Sequence, residues 1–288
     1  MDKMKICPMI TPFHNNKVDY EKMHFFGELI LSKGIDLLFL CGTTGLGPTL
    51  SHEEKMKIME VFSDISSKVI MQIGSLNTSE VVELAKKAKS LNFRAIALLP
   101  PYYYFDVPES WLIRYFLDVS RIYDTIVYNF PKTTNNPIST KIVKEVNAKG
   151  GRIIGIKETL PDISHMINFK WEMGDDFLVL SGPDDLIIPA LRSGLDGIIG
   201  SSSNYLTDIF VRIIRNYEKI EAENLQKIIS SCLAEVKKYG QWSANYTAIR
   251  HFHGLDVGQP RPPLLPLEPE QERELVTSLH NITTALKN

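Results

Sequence analysis

Eight short apolar segments recur along this chain, and stretches with helical hydrophobic spacing lie between them. The segments begin at Lys5, Asp36, Lys68, Arg94, Thr125, Arg152, Phe177 and Asp196. Their spacing of roughly 20–35 residues is the length of one strand followed by one helix. Because they are nearly continuous in apolar residues, they are typical of parallel strands that helices cover on both faces. The pattern therefore predicts an α/β fold built from eight similar units.

Eight strand–helix units are the number that closes a TIM barrel, so we expect a (β/α)8 barrel over residues 1–204. The competing arrangement is a doubly wound open sheet, which is less favoured because no glycine-rich phosphate turn follows the first strand. Beyond this point only helical patterns remain. The sequence therefore predicts a C-terminal helical region, residues 205–288, packed on the barrel.

Charge and apolar content narrow the range of partners. The 288 residues carry a formal charge of -2, which gives no positive field for nucleic acid or anionic lipid. No run of about 18 apolar residues is present, so no membrane span is expected, and the N-terminal apolar stretch is too short for a signal peptide. Cys7, Cys41 and Cys232 lie far apart without metal or redox spacing. We expect a cytoplasmic protein with reduced thiols that acts on a small molecule.

In the segment RIIGIKE the apolar run ends at Lys157, although an ammonium group is costly to remove from water. In a barrel of this kind the active site lies at the carboxyl ends of the strands, so the side chain is expected at the mouth. A partly desolvated lysine has a lowered pKa, and its neutral amine can attack a carbonyl carbon. Lys157 is therefore the candidate nucleophile. The competing interpretation is a solvated lysine at the end of a strand.

Hydroxyl groups follow the ends of other predicted strands. In CGTTGLG, after the second strand, Thr43 and Thr44 offer hydroxyl and N–H donors that suit a carboxylate. Tyr128 closes the fifth strand, next to the strand of Lys157, where a phenol can move protons during imine chemistry. The run PPYYYF follows the fourth strand, and for any one of its three phenols packing against a neighbour is the more common role.

The last two strands end in small, acidic and hydroxyl residues. SGPDD provides Gly182, where a ligand can approach the backbone, and the carboxylates of Asp184 and Asp185. Ser201 begins SSSN after the eighth strand, and its hydroxyl suits a polyol. Neighbouring aspartates more often cap a helix than hold a cation, and the seven histidines form no convincing metal site. We expect no metal; a metal-dependent aldolase or hydrolase that uses the two aspartates is the rival hypothesis.

Six motifs carry a resemblance to a known superfamily: GTTGLGPTLS, PYYY, YNFP, GIKET, SGPDD and GQPRPPLLPL. In this order and spacing they resemble the pyruvate-dependent class I aldolases, which include N-acetylneuraminate lyase and dihydrodipicolinate synthase. The similarity is greatest to the archaeal 2-keto-3-deoxygluconate aldolases and covers nearly the whole chain. The resemblance implies a barrel fold, Schiff-base chemistry without metal or organic cofactor, and assembly as a homotetramer.

The resemblance also implies a role for individual residues. Lys157 matches the Schiff-base lysine, and Tyr128 matches the catalytic tyrosine that moves a proton during carbon–carbon cleavage. Thr43 and Thr44 match the pair that holds the carboxylate of pyruvate. Tyr103 in PYYY matches a tyrosine that reaches into the active site of the neighbouring subunit.

Other matching positions bear on the substrate. Gly182 and Asp184 match positions that face the hydroxylated tail of a sugar acid. Dihydrodipicolinate synthases carry an arginine where this chain has Thr133, which argues against a role in lysine biosynthesis. Relatives that accept a phosphorylated substrate have an arginine at the place of Asp106 and a tyrosine at the place of Phe130. The resemblance thus implies reversible cleavage of 2-keto-3-deoxygluconate to pyruvate and glyceraldehyde, with a preference for the unphosphorylated substrate.

Alternatives remain open from the sequence alone. Lys237 on a predicted C-terminal helix supplies a cation, so the enzyme could accept both 2-keto-3-deoxygluconate and its 6-phosphate. Another pyruvate-dependent lyase of the superfamily would use the same residues. A non-catalytic binder of sugar acids would keep the carboxylate cradle and lack turnover, which an aldol assay distinguishes.

Overall fold

Eight parallel strands close into a barrel in the computed structural model, which describes residues 2–285. The strands in chain order are β1 (Met4–Pro8), β2 (Phe13–His14), β3 (Lys17–Val18), β4 (Leu37–Leu40), β5 (Val69–Gln72), β6 (Ala95–Leu98), β7 (Thr125–Asn129), β8 (Ile153–Glu158), β9 (Leu178–Ser181) and β10 (Gly197–Ile199). β2 and β3 form a small antiparallel hairpin, and the other eight follow one another around the barrel. β10 pairs with β1, so the predicted (β/α)8 barrel is confirmed and the open-sheet alternative is wrong.

Helices cover the outside of the barrel. In chain order they are α1 (Tyr20–Ser32), α2 (His52–Val61), α3 (Thr78–Ser90), α4 (Glu109–Ser120), α5 (Pro131–Thr134), α6 (Thr140–Ala148), α7 (Ile163–Met173), α8 (Ile187–Arg192), α9 (Thr207–Arg215), α10 (Glu221–Lys238), α11 (Gln241–His253) and α12 (Pro269–Ala285). α2 begins with a capping box, because Ser51 and Glu54 each accept a hydrogen bond from the backbone N–H of the other. The cap fixes the end of the loop that carries Thr43 and Thr44.

The barrel interior is filled with apolar side chains up to the level of the active site. Ile6, Phe39, Ile70, Leu180 and Ile199 are fully or almost fully buried and pack together inside the strands. A separate and larger apolar layer fills the space between strands and helices. The inner layer matters for function, because any polar group that points inward at the top of the barrel rests on a floor without water.

The C-terminal region adds helices beside the mouth of the barrel. α9 completes the eighth strand–helix unit, and α10, α11 and α12 pack against one another beyond it. The C-terminal helices predicted from sequence are therefore present, whereas the division of the chain at residue 204 stays a prediction. The three final positions of that region, and Met1, lie outside the described residues. Among the described helices, none combines the length and the apolar character needed to cross a membrane.

The segment between α11 and α12 is fastened to the barrel by an arginine. The guanidinium of Arg261 lies 2.6 Å from a carboxylate oxygen of Glu54 and donates a second bond to its other oxygen. It also donates to the carbonyl of Asn16 and lies 4.5 Å over the ring of Phe13. This two-pronged pair ties the C-terminal region to α2 and to the β2–β3 hairpin.

Candidate active site

A cavity of about 440 Å³ opens at the carboxyl ends of the barrel strands. Strands β7 to β10, together with β1 and the loop after β4, contribute to its wall. Seven of the eight residues predicted from sequence line it, namely Thr43, Thr44, Tyr128, Lys157, Gly182, Asp184 and Ser201. The exception is Tyr103. The structure therefore collects residues that are distant in sequence into one site, as expected for strand ends in a barrel.

Lys157 projects from β8 into the top of the apolar interior. The side chain is only 5% exposed, and its ammonium nitrogen lies 4.0 Å from the centre of the Tyr128 ring and 4.5 Å from that of Phe39. Burial lowers the pKa of Lys157 to about 7, while the negative charge of Asp184 acts in the opposite direction. At neutral pH about half of these side chains therefore carry the neutral amine that attacks a carbonyl.

Tyr128 lies beside Lys157 because β7 and β8 pair these two residues directly in the ladder. Its hydroxyl and the Thr43 hydroxyl are 3.1 Å apart and form a hydrogen bond. Burial raises the pKa of the Tyr128 phenol to about 12. The phenol thus stays protonated at neutral pH, and it can pass on one proton as it receives another.

The loop after β4 is shaped by glycines that leave no room for a side chain. A Cβ at Gly47 would lie 1.8 Å from the carbonyl oxygen of Cys41, and one at Gly45 would lie 2.6 Å from that of Met9. Cys41 itself has a left-handed backbone, with φ of 56°. Gly45 and Gly47 thus lie directly against protein backbone. Their role is to fold the loop so that Thr43 and Thr44 point into the cavity.

Asp184 is held in the cavity wall by the turn after β10. Its two carboxylate oxygens accept four hydrogen bonds, from the backbone N–H and the hydroxyl of both Ser201 and Ser202, at 2.5–3.0 Å. Burial nevertheless raises the pKa of Asp184. Gly182 allows this wall to approach β8, because a Cβ there would lie 2.9 Å from the Glu158 carbonyl oxygen. Asp184 therefore organises the wall that was predicted to face the substrate tail.

The aspartates do not form the cation site that the metal-dependent rival requires. Asp184 is engaged with the two serines, and Asp185 lies 3.4 Å from the ammonium of Lys237. Within residues 2–285, no group of three or more histidine, cysteine, aspartate or glutamate side chains is arranged to hold a metal ion. Groups that do face the cavity include the Lys157 amine, the Tyr128 phenol and the hydroxyl groups of Thr43, Thr44 and Ser201.

Comparison with known families identifies the family of the chain. Residues 3–282 match the Dihydrodipicolinate synthetase family. The chain belongs to this family. A member from Saccharolobus solfataricus, 2-dehydro-3-deoxy-phosphogluconate/2-dehydro-3-deoxy-6-phosphogalactonate aldolase, is 38% identical over 287 residues, which cover 98% of this chain and 96% of the relative. The 2-dehydro-3-deoxy-D-gluconate/2-dehydro-3-deoxy-phosphogluconate aldolase of Thermoproteus tenax is 31% identical over 98% of this chain and 92% of its own.

Solved structures of family members are similar over the whole fold. A complex of the Sulfolobus 2-keto-3-deoxygluconate aldolase with D-KDPG has a TM-score of 0.93 and 36% identity, and covers 99% of this chain and 97% of that one. Dihydrodipicolinate synthase from Aquifex aeolicus has a TM-score of 0.89 and 27% identity, with coverage of 99% and 100%. The resemblance predicted from the motifs is confirmed, and so is the prediction that this family member is an aldolase-type lyase.

Tyr103 is the predicted site residue that the single chain does not bring to the cavity. Its side chain is 71% exposed and stacks edge-on against Tyr104, which is also exposed. The position agrees with a residue that points away from its own barrel. Its role in the active site of a neighbouring subunit stays a prediction.

The cavity residues not identified from the sequence include Thr159, Lys132, Gln241 and Trp242. Thr159 follows Lys157 by two residues, so strand alternation could have indicated that both face the same side. Its hydroxyl donates to the carbonyl of Asn129, 2.7 Å away. Gln241 and Trp242 come from α11, and no local pattern reveals that a helix of the C-terminal region closes the cavity. Their place depends on tertiary packing.

Proposed function

We propose that this family member is a class I aldolase that cleaves 2-keto-3-deoxygluconate reversibly to pyruvate and glyceraldehyde in the cytoplasm. The observation that carries the proposal is the buried Lys157, whose pKa falls to about 7 beside the phenol of Tyr128. The names of the Saccharolobus and Thermoproteus aldolases support this substrate class. A Sulfolobus aldolase variant solved as a pyruvate complex supports pyruvate as one of the two products.

The proposed reaction begins with the neutral amine of Lys157, which attacks the C2 ketone and loses water to form a protonated imine. Thr43 and Thr44 hold the adjacent carboxylate with hydroxyl and N–H donors. The imine draws in the electron pair of the C3–C4 bond, and the bond breaks as the C4 hydroxyl becomes an aldehyde. Tyr128 takes up the hydroxyl proton while it passes its own along the hydrogen bond to Thr43, whose hydroxyl in turn releases its proton to water in the open cavity. The enamine is then protonated at C3, and hydrolysis releases pyruvate.

The wall formed by Gly182, Asp184 and Ser201 suits the hydroxylated tail. The Ser201 hydroxyl donates a hydrogen bond to Asp184, so its oxygen lone pairs are directed to accept a hydrogen bond from a substrate hydroxyl. Asp184 acts mainly through this serine, because its own oxygens already receive four hydrogen bonds. No metal or organic cofactor enters the proposed reaction.

We further propose that the unphosphorylated sugar acid is the preferred substrate. Phe130 lines the cavity and offers no hydrogen-bond donor to a phosphate. Asp106, at the place where phosphate-accepting relatives carry an arginine, is exposed next to the tyrosine run and would repel a dianion. Lys237 is already paired with Asp185, which reduces its value as a phosphate ligand.

A second candidate is an aldolase that accepts both the free and the 6-phosphorylated substrate. Lys132 and Lys237 both line the cavity, so two ammonium groups lie where a terminal phosphate would reach. The names of the Saccharolobus and Thermoproteus relatives include phosphorylated substrates.

The active form is proposed to be a homotetramer. Tyr103, Tyr104 and Phe105 are all more than half exposed, and together they form an aromatic surface on a single chain. Large exposed aromatic groups of this kind are typical of protein–protein contacts. Contact with a second copy would cover this surface and carry Tyr103 towards the neighbouring cavity.

The first test is covalent trapping. Borohydride reduction in the presence of pyruvate should attach pyruvate to Lys157, because hydride reduces the imine to a stable secondary amine. Mass spectrometry of the digested protein locates the adduct. Lys157→Ala should lose both the adduct and aldol turnover, whereas Lys132→Ala, which removes another cavity lysine, should retain the adduct. An adduct on a different lysine, or full turnover by Lys157→Ala, contradicts the assignment.

Tyr128→Phe should separate imine formation from bond cleavage. The variant should still trap pyruvate, but its kcat for cleavage should fall by about 10²–10⁴-fold, the usual contribution of a positioned acid–base group. Thr44→Val is the matched control in the same cavity. It should chiefly weaken pyruvate binding, by roughly 1.5–3 kcal/mol for a lost hydrogen bond to a charged group. A Tyr128→Phe variant as fast as the parent would show that the phenol has only a structural role.

Substrate preference is tested by kcat/KM for 2-keto-3-deoxygluconate and its 6-phosphate. The parent should prefer the free sugar acid, and Asp106→Arg with Phe130→Tyr should shift the ratio toward the phosphate ester, because it adds a guanidinium and a phenol donor. Lys237→Ala should leave use of the free acid unchanged. Equal or better use of the phosphate ester by the parent would favour the second candidate instead.

A further inference from the structure

A second hydrogen-bonded pair lies next to the reactive one in the β7–β8 ladder. The ladder pairs Tyr128 with Lys157, and the following step pairs Asn129 with Glu158. Successive side chains of a strand point to opposite faces, so Asn129 and Glu158 turn outward where Tyr128 and Lys157 turn inward. Both outward residues are completely buried between the barrel and its helices.

The outward pair is held by a full set of polar contacts. The side-chain amide of Asn129 donates to one oxygen of Glu158 at 2.6 Å, and the N–H of Leu160 donates to the other at 2.8 Å. The Asn129 amide oxygen accepts from the N–H of Ile138 at 3.0 Å. His165 on α7 brings its Nε2 to 3.1 Å from the Glu158 carboxylate. A buried carboxylate with these partners is fixed in place.

The pair lies at the end of the β7–β8 ladder that carries Tyr128 and Lys157. β7 and β8 are out of regular register between Thr125 and Ile126 at the other end, so the backbone alone does not fix the alignment throughout. A slip of one residue would turn Lys157 out of the cavity. Even a displacement of about 1 Å between reacting groups can lower a rate by 10²-fold.

We propose that Asn129 and Glu158 are positioning residues, which set the separation of Tyr128 and Lys157 from the opposite face of the strands. His165 on α7 adds an electrostatic contact, since its Nε2 lies 3.1 Å from the same carboxylate. The proposal rests on the proposed aldolase function for its consequence in turnover. The geometric part, that this pair places Lys157 over the Tyr128 ring, stands independently of the reaction.

An exchange of the two side-chain types tests the pair. Asn129→Asp alone places two carboxylates against each other, and Glu158→Gln alone must satisfy both the Asn129 amide and the Leu160 N–H with one amide oxygen. The double variant restores every bond with reversed polarity: the new amide donates to the new carboxylate, the Ile138 and Leu160 N–H groups keep their acceptors, and neutral His165 accepts the second amide hydrogen.

Each single variant should lose about 10–100-fold in kcat with little change in KM, and the double variant should return to near the parent value.

A readout without turnover accompanies the kinetics. In protein labelled with ¹³C at lysine Cε, the Lys157 ε-methylene signal, assigned by its absence in Lys157→Arg, should be displaced by the Tyr128 and Phe39 rings. The single variants should reduce this displacement and the double variant should restore it. Asn147→Leu is the control, because Asn147 holds the Ile153 N–H and carbonyl at the other end of β8. It should lower the urea midpoint and leave kcat and the Lys157 signal unchanged.

These experiments test the aldolase function and the positioning role of Asn129 and Glu158 separately. Failure of the parent to trap pyruvate would refute the aldolase function, and the Lys157 signal would still decide the positioning claim. Single variants with parental kcat and parental signal would overturn the proposal, as would a folded double variant no better than the worse single one. If a single variant does not fold, His165→Gln, a change at a partly exposed position, is tested in its place. His165→Gln should lower kcat by about threefold to tenfold with KM unchanged. A parental kcat in that variant would likewise count against the proposal.

Discussion

The removal of the Lys157 ammonium from water is the constraint on which the site depends. Two opposed effects act on it: burial lowers its pKa, and the negative charge of Asp184 raises it, with burial the larger. A lysine side chain in the unfolded chain has a pKa of about 10.4. Between about pH 7 and about pH 10.4, Lys157 is therefore protonated in the unfolded chain and neutral in the folded chain. The free energy of unfolding rises with pH across this window. The fold thus gives up stability at neutral pH to keep a reactive amine.

Much of the surrounding structure keeps water and ionic partners away from the Lys157 amine. The apolar interior below it, with Phe39 at its top, keeps water out, and the Tyr128 ring covers one side. Asp184 is drawn to the wall by the serine turn, which satisfies its carboxylate without an ion pair to the lysine. The crowded glycine loop after β4 brings Thr43 to the phenol. An aldolase mechanism is the use that best fits an amine prepared in this way.

The residues that could be predicted from sequence share one property: each ends or directly follows a barrel strand. Strand periodicity predicts that Lys157, Tyr128 and Thr44 lie at one rim of the barrel. Trp242 and Lys132 were missed, because their place in the wall depends on how α5 and α11 pack, which no local pattern encodes. The short hairpin β2–β3 was missed for a different reason, because its strands have only two residues each. The partnership of Asn129 with Glu158 requires the register of two strands, which sequence alone does not give.

The most direct measurement is the titration of Lys157 in protein labelled with ¹³C at lysine Cε, followed by NMR from pH 5.5 to 11. One signal, absent in Lys157→Arg, should titrate near pH 7, while the signals of exposed lysines should titrate near about 10.4. Phe39→Ala, which admits water beside the amine, should move that midpoint upward, because desolvation is the cause of the shift. A Lys157 midpoint close to those of the exposed lysines would contradict the account, since the amine would then be charged at neutral pH.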